Sequence, residues 1–167
     1  MPSGSPSAND ARIRFVIGDA TASSGIGPKV IVHVCNDVGA WGAGFVLALS
    51  RRWPEPEAEY RSWSRGKGAL PFELGQVQII RVSSDIEVAN MIGQRGIRRE
   101  GGRPPVRYDA IERALNAVAA HCLRQAASVH MPRIGCGLAG GKWAEIEPLI
   151  LSQLVYPGVS VTVYDLA

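Results

Sequence analysis

This sequence lacks long apolar runs. No stretch of about 18 consecutive apolar residues occurs, so we expect no membrane-spanning helix. The first ten residues have neither a basic start nor an apolar stretch, and they are rich in Ser, Pro, Gly and Ala. They predict a flexible tail over residues 1–10 of a cytoplasmic protein, followed by one domain over residues 11–167.

Cysteine is scarce. The chain has three, Cys35, Cys122 and Cys136, and no CxxC pair. An odd number of cysteines without paired spacing argues against a disulfide framework and against a zinc site. We therefore expect reduced thiols, and we expect neither a bound metal ion nor a cofactor.

The sequence also has no block of like charges. Its formal net charge is only +3, although the isoelectric point near 9.0 leans basic. This balance suits an anionic small molecule and gives no sign of specific nucleic-acid binding. The arginines form one loose cluster, which is either a solvated loop or a phosphate contact: Arg95, Arg98, Arg99, Arg103 and Arg107.

The chain does contain the alternation of apolar segments that is typical of an α/β fold. Strands are predicted over residues 12–17, 30–35, 76–82, 87–92, 128–132 and 159–166. Helical patterns cover residues 45–52, 57–64, 108–125 and 144–154. A tight turn at residues 83–85 should place the third and fourth strands side by side. We expect a three-layer α/β/α sandwich around a mixed, largely parallel sheet.

Glycine is concentrated in two loops that each join a predicted strand to a predicted helix. They are residues 39–44 (GAWGAG) and residues 135–141 (GCGLAGG). Small residues let the main chain approach a phosphate closely, and free N–H groups at a helix start supply hydrogen-bond donors. Neither loop has the GxGxxG or GxxxxGK[ST] pattern, so a dinucleotide-binding Rossmann site and a P-loop are not expected.

Two motifs carry a family resemblance. Residues 18–21 (GDAT) resemble the first signature of macro domains, and residues 131–138 (MPRIGCGL) resemble their second phosphate loop. Over residues 13–166 the chain resembles the branch that contains the terminal ADP-ribose protein glycohydrolase and its bacterial relatives. The resemblance implies that the partner is ADP-ribose or an ADP-ribosylated protein.

The same resemblance implies a role for individual residues. Asp19 would accept a hydrogen bond from the adenine amino group, and Ala20 would offer its backbone amide. Tyr164 would line or stack on the adenine, and Asn36 would reach the distal ribose. Their ordinary alternatives are a cap for Asp19, core packing for Tyr164 and a turn cap for Asn36. The diphosphate and distal ribose would contact Gly42, Ala43, Gly44, Phe45, Arg133, Ile134, Gly135, Cys136, Gly137, Leu138 and Ala139.

The chain departs from that branch at the residues that carry its chemistry. Where the glycohydrolase has a lysine and an aspartate, this sequence has Gln94 and Ala139, so a lysine-based mechanism is excluded. The remaining candidates for catalysis are Asp37, which could orient or deprotonate a water, Gln94, which could position one, and Asn36. For Cys136, a role as a small residue in a tight loop is favoured over that of a nucleophile. For the histidines, structural packing is favoured over catalysis.

Three functions stay open at this point. The leading one is hydrolysis of ADP-ribose from acidic side chains of modified proteins by a water-based mechanism. The others are a non-catalytic ADP-ribose binding module and a hydrolase of free ADP-ribose derivatives. We expect a monomer that binds neither membranes nor specific nucleic acids.

Overall fold

The computed structural model describes residues 11–167, and the predicted tail over residues 1–10 lies outside the described residues. Six strands are present: β1 (Arg14–Ile17), β2 (Lys29–Asn36), β3 (Val77–Arg81), β4 (Ile86–Gln94), β5 (Ser128–Met131) and β6 (Val161–Asp165). The four α-helices are α1 (Phe45–Arg52), α2 (Glu55–Ser64), α3 (Tyr108–Gln125) and α4 (Trp143–Ile150). All six predicted strands and all four predicted helices are therefore present, with ends shifted by a few residues.

The strands form one sheet in the order β1-β6-β5-β2-β4-β3. Every neighbouring pair is parallel except β3 and β4, which are antiparallel and adjacent as the turn at residues 83–85 predicted. The expected mixed, largely parallel sheet is thus confirmed.

Strand β2 lies near the centre of the sheet, and its sequence shows why. Seven of its eight residues are buried, because alternate side chains enter cores on opposite faces of the sheet. Val30 and Val32 pack in the core that α3 and α4 cover. Ile31 and Cys35 pack in the core that α1 and α2 cover. Two cores on one sheet make the predicted three-layer sandwich.

Helix α3, like α1, has the bounds that the sequence predicted. Its apolar positions recur every three or four residues, so one face is buried along its whole length. Ala126 follows it in the left-handed conformation with φ 53°, and its N–H reaches the Cys122 carbonyl.

Proline explains where two helices differ from their predicted ends. Helix α2 begins at Glu55, two residues early, because Pro54 and Pro56 lie where a helix needs no N–H donor. Helix α4 ends at Ile150 and continues as a π-helical turn over Leu151–Val155. Pro148 lies inside α4 and lacks the N–H that would bond to the Ala144 carbonyl.

Candidate functional site

A cleft opens beyond the carboxyl ends of the parallel strands, where sheets of this type usually bind ligands. It consists of two adjoining cavities of about 290 and 320 Å³. The first cavity is bounded by His33, Gly44, Phe45 and the loop of residues 132–139. The second is bounded by residues of the loop after β2 and by Ile97. Both share a wall that includes Val34, Ala43, Val46, Gln94 and Leu138.

The loop of residues 37–44, here called the first loop, is held by the buried side chain of Asn36. Its Oδ1 accepts hydrogen bonds from the N–H groups of Val38 and Ala40, both at 3.0 Å. Its Nδ2 donates to the Ala40 carbonyl at 2.8 Å. The Tyr60 hydroxyl donates to Asn36 Oδ1 at 2.8 Å and to its carbonyl at 2.7 Å. The turn-capping alternative for Asn36 is therefore realised, while its contact with a ribose stays a prediction.

The first loop leads into the unprotected start of α1. Gly44 is the N-cap with φ 83°, and no side chain caps the helix. Within residues 11–167, the N–H groups of Ala43, Gly44 and Phe45 donate to no other protein group. Free donors and the positive end of the helix dipole therefore meet at one side of the cleft.

The loop of residues 132–141, here called the second loop, is held by its own backbone. The Gly141 N–H donates to the Gly135 carbonyl at 2.7 Å, and the Gly140 N–H donates to the Gly137 carbonyl at 3.0 Å. Gly135 has φ 71°, and a Cβ there would lie 2.8 Å from Cδ1 of Ile146. A Cβ on Gly141 would collide with the Gly135 carbonyl oxygen. These two glycines are thus required by conformation and close packing.

The second loop also offers donors to the cleft. Across the described part of the chain, the N–H groups of Gly137 and Leu138 have no protein acceptor. Leu138 reaches across to the first loop, where a Cβ on Gly44 would lie 3.6 Å from its Cδ1. Leu138 is 72% exposed and lines both cavities, at the boundary between them.

Asp37 and Gln94, two of the predicted catalytic residues, have different positions. Gln94 lines both cavities, and its Nε2 donates to the Gly96 carbonyl at 3.0 Å. Asp37 lines neither cavity, because its Oδ1 accepts a hydrogen bond from the Gly96 N–H at 2.7 Å. The carboxylate thus fastens the first loop to the residues after β4.

Asp19 and Ala20 follow β1, and Tyr164 lies near the end of the neighbouring β6; none of the three lines either cavity. Asp19 Oδ1 accepts hydrogen bonds from the N–H and hydroxyl of Thr21, so it caps the short 3₁₀ turn Ala20–Ala22. Tyr164 is buried, and its hydroxyl is 2.7 Å from Nδ1 of His130. The capping and packing alternatives are realised here, and the adenine contacts of these residues stay predictions.

Arg133 has its guanidinium bound on the outside of the second loop. It forms two hydrogen bonds with the Asp165 carboxylate, at 2.7 and 3.0 Å. It also lies over the rings of Phe15 and Trp143, 5.2 and 4.8 Å from their centroids. The neighbouring guanidinium lowers the pKa of Asp165. Arg133 therefore borders the cleft while its charge is already paired.

Burial favours the neutral forms of the histidine and the cysteines in and beside the cleft. His33 is buried beside Asn90, and burial lowers its pKa to about 4. Burial raises the pKa of the Cys35 thiol far above its ordinary value, and it also raises that of Cys136. A neutral imidazole and neutral thiols at pH 7 fit packing roles better than catalysis.

Sequence reasoning missed several residues that build the site. The Tyr60 hydroxyl donates hydrogen bonds to Asn36, and Val34, Val46 and Ile97 line the cleft. No local signal marks them, since each is an apolar or aromatic residue in an ordinary strand, helix or loop.

No family model matches the chain. A solved structure described as a macrodomain protein from Streptomyces coelicolor is 55% identical, with a TM-score of 0.82, and the match covers 92% of this chain and 99% of that one. This chain belongs to the macro domain family. The family membership that the motifs at residues 18–21 and 131–138 predicted is thus confirmed.

In two curated relatives, the region that matches this chain is less than half of the relative's length. The chromodomain-helicase-DNA-binding protein 1-like of Danio rerio is 29% identical over 91% of this macro domain, which spans 15% of that relative. The human ADP-ribose glycohydrolase OARD1 is 33% identical over 60 residues, which are 35% of this chain and 40% of that protein.

None of the helices in residues 11–167 combines the length with the apolar character that a membrane-spanning segment needs. No three His, Cys, Asp or Glu side chains in that range are grouped as ligands of a metal ion would be.

Proposed function

We propose that this macro domain binds ADP-ribose, with the diphosphate between the first and second loops. The observation that carries the proposal is a set of cleft-lining residues whose N–H groups have no protein acceptor within residues 11–167: Ala43, Gly44, Phe45, Gly137 and Leu138. Unpaired backbone donors are uncommon in folded proteins, and phosphate oxygens are their natural acceptors. The name of the relative OARD1 supports the choice of ADP-ribose.

The rest of the ligand follows from the position of the diphosphate. The adenosine would extend toward Asp19, whose Oδ1 is occupied by Thr21 but whose second oxygen can accept the adenine amino group. The distal ribose would enter the second cavity, which Asn36 and Gln94 line. The ribose C1 atom would then lie near the open side of that cavity, beside Ile97.

The proposed reaction is hydrolysis of the ester between C1 of the distal ribose and a Glu or Asp side chain. A water oxygen bonds to C1 while the C1–O bond breaks, and the side-chain carboxylate leaves with the bond's electron pair. The water's proton passes to a phosphate oxygen of the ligand. Positive charge that develops at C1 is stabilised by the neighbouring phosphates. The Gln94 carboxamide, at the junction of the two cavities, orients the water.

Asp37 takes a positioning role in this proposal. Its carboxylate holds the Gly96 N–H and so fixes the turn that Gln94 also contacts. An Asp37→Asn variant keeps an oxygen that can accept this hydrogen bond, whereas it removes the basic carboxylate. We expect that variant to retain the rate to within about threefold, and Gln94→Ala to lose about a hundredfold. A rate that collapses in Asp37→Asn would make Asp37 the general base instead.

Two measurements test the proposal in sequence. Titration calorimetry with ADP-ribose should show binding of one ligand per chain, and absence of heat at high concentration refutes the binding proposal. A Glu-ADP-ribosylated protein should then release ADP-ribose faster with the macro domain than with a boiled sample.

A binding module without turnover is the second candidate function. It is favoured by Gln94 and Ala139, which stand where the resembled glycohydrolase has its lysine and aspartate. Binding without release above the boiled control would establish it. Release from free ADP-ribose derivatives but not from modified protein would establish the third alternative.

A further inference from the structure

The loop between β4 and α3 is a hydrogen-bonded, arginine-rich hairpin beside the cleft. Residues 95–103, here called the arginine hairpin, close on a Gly101-Gly102 turn with φ values of 57° and 79°. Glu100 and Arg103 exchange two backbone hydrogen bonds at 3.1 and 3.0 Å, as in a two-residue β-turn. The projection therefore has a defined shape.

The base of the hairpin is fixed by Arg107, which the sequence grouped with the exposed arginines. Arg107 is instead buried, and its Nη1 donates to the carbonyls of Pro104, Pro105 and Val106 at 2.7, 3.1 and 3.0 Å. The prediction of a phosphate contact or a solvated side chain is thus wrong for Arg107. Its guanidinium instead binds backbone carbonyls at the base of the hairpin.

The hairpin is attached to both loops of the cleft. The Gly96 N–H donates to Asp37 in the first loop, and just after the hairpin the Val106 N–H donates to the Ala139 carbonyl in the second loop at 3.0 Å. Ile97 lines the second cavity directly. A ligand group that leaves this cavity would therefore pass along the hairpin.

The positive charge of the whole chain is concentrated on this hairpin. It carries four arginines and one glutamate, so the chain's 18 basic and 15 acidic residues are reduced to 14 of each elsewhere. Arg95, Arg98, Arg99 and Arg103 are all exposed, and none forms an ion pair with a carboxylate in residues 11–167. Four cations without a carboxylate partner on one hairpin form a local anion-attracting surface.

We propose that the arginine hairpin binds acidic residues that flank the ADP-ribosylated side chain of a substrate polypeptide. This inference rests on the proposed function, which places the modified side chain at the mouth of the second cavity. A polypeptide fits better than nucleic acid for two reasons. The hairpin has no aromatic residue on which a base could stack, and the balanced charge elsewhere provides no basic track for a longer strand.

The test uses synthetic peptides that carry ADP-ribose on a central side chain through a linkage that resists hydrolysis. One peptide has four Asp or Glu neighbours, and its partner has Asn and Gln at the same positions. We expect the acidic peptide to bind about tenfold more tightly at low salt, with the difference fading at about 0.5 M salt. Equal binding of the two peptides would overturn the inference.

Charge reversal assigns the preference to the hairpin. The variant Arg98→Glu/Arg99→Glu should lose the preference or reverse it, while its affinity for free ADP-ribose stays within about twofold of the wild type. A matched control is Arg12→Glu/Arg124→Glu, which makes the same change of charge at exposed positions. Arg12 precedes β1 and Arg124 lies in the last turn of α3, just before β5, so both lie at the amino ends of the strands, opposite the cleft. The inference fails if the control loses the preference equally.

Free ADP-ribose and an oligonucleotide separate the remaining outcomes. If the wild type binds no free ADP-ribose, the proposed function itself fails. If it binds ADP-ribose but treats both peptides alike, only the hairpin inference fails. The competitors are a ten-nucleotide single strand and the acidic peptide lacking ADP-ribose, each added to displace the ADP-ribosylated acidic peptide. If the single strand displaces it more effectively, the hairpin is reassigned to nucleic acid.

Discussion

The two loops of the cleft present similar backbone donors but are supported by different means. Side chains hold the first loop, where Asn36 binds Val38 and Ala40 and is itself held by Tyr60. Backbone contacts hold the second loop, where Gly141 approaches Gly135 too closely for any side chain. Polar side chains can be replaced in part by similar ones, whereas a position without room for a Cβ accepts only glycine.

Acid should weaken both loops at once and so have the largest effect. His33 packs under the first loop against Trp41 and Phe45, and His130 lies in β5, which leads into the second loop. Burial lowers the pKa of each to about 4, below the ordinary 6.5. The unfolded chain therefore binds more protons between these values, and stability falls as the pH drops from about 6.5 to about 4.

For His33 alone, acid should lower the free energy of unfolding by about 3 kcal/mol, because burial lowers its pKa from 6.5 to about 4. Denaturant unfolding at several pH values measures it. A His33→Gln variant removes the titrating group, so its stability should depend less on pH in this window. Equal pH dependence in that variant and the wild type would contradict the assignment.

Gly141→Ala should cause the next largest loss, because its Cβ would collide with the Gly135 carbonyl oxygen. We expect a loss of about 2 to 3 kcal/mol in the free energy of unfolding and about tenfold weaker ADP-ribose binding. Gly137→Ala is the control in the same loop, since nothing lies within 4 Å of its added Cβ. Thermal unfolding of the pair measures the difference, which should exceed about 5 °C.

Asn36→Ala tests the first loop by removing four side-chain hydrogen bonds. The N–H groups of Val38 and Ala40 and the Ala40 carbonyl would lose their partner, at a cost of about 2 kcal/mol. Denaturant unfolding and ADP-ribose titration give the two readouts. If Asn36→Ala were more damaging than Gly141→Ala, the first loop would be the more demanding of the two.

Tyr60→Phe is the smallest change, since it removes only the hydroxyl that donates to Asn36. Asn36 Oδ1 keeps its two backbone donors, so the expected loss is about 1 kcal/mol with less than about threefold change in affinity. The variant should add little to Asn36→Ala in a double mutant, because the two side chains act as one network. Full additivity would show that they act independently.

The same contrast explains how much of the molecule could be read from its sequence. The residues of α3 and β2 follow apolar periods, and both elements have the predicted place and type. Both loops of the cleft were found through local concentrations of glycine between a predicted strand and a predicted helix, at residues 39–44 and 135–141. Local patterns thus reveal the elements and the loops of the cleft.

What the sequence could not show depends on contacts between distant residues. Asp37 meets Gly96, 59 residues away, and Arg133 meets Asp165, 32 residues away. Both side chains looked available for a ligand, and both are already paired in the fold. The buried Arg107 differs from Arg98 and Arg99 for another reason: its partners are the adjacent carbonyls of residues 104–106, and only the folded conformation of that segment brings all three to the guanidinium.

The central claim is that free amides of both loops hold the diphosphate of ADP-ribose. Amide nitrogen–proton correlation spectra with increasing ADP-ribose test it residue by residue. The account predicts the largest downfield proton shifts at Ala43, Gly44, Phe45, Gly137 and Leu138, because their N–H groups gain phosphate acceptors. Unchanged resonances at these five residues in the ligand-saturated protein would contradict it.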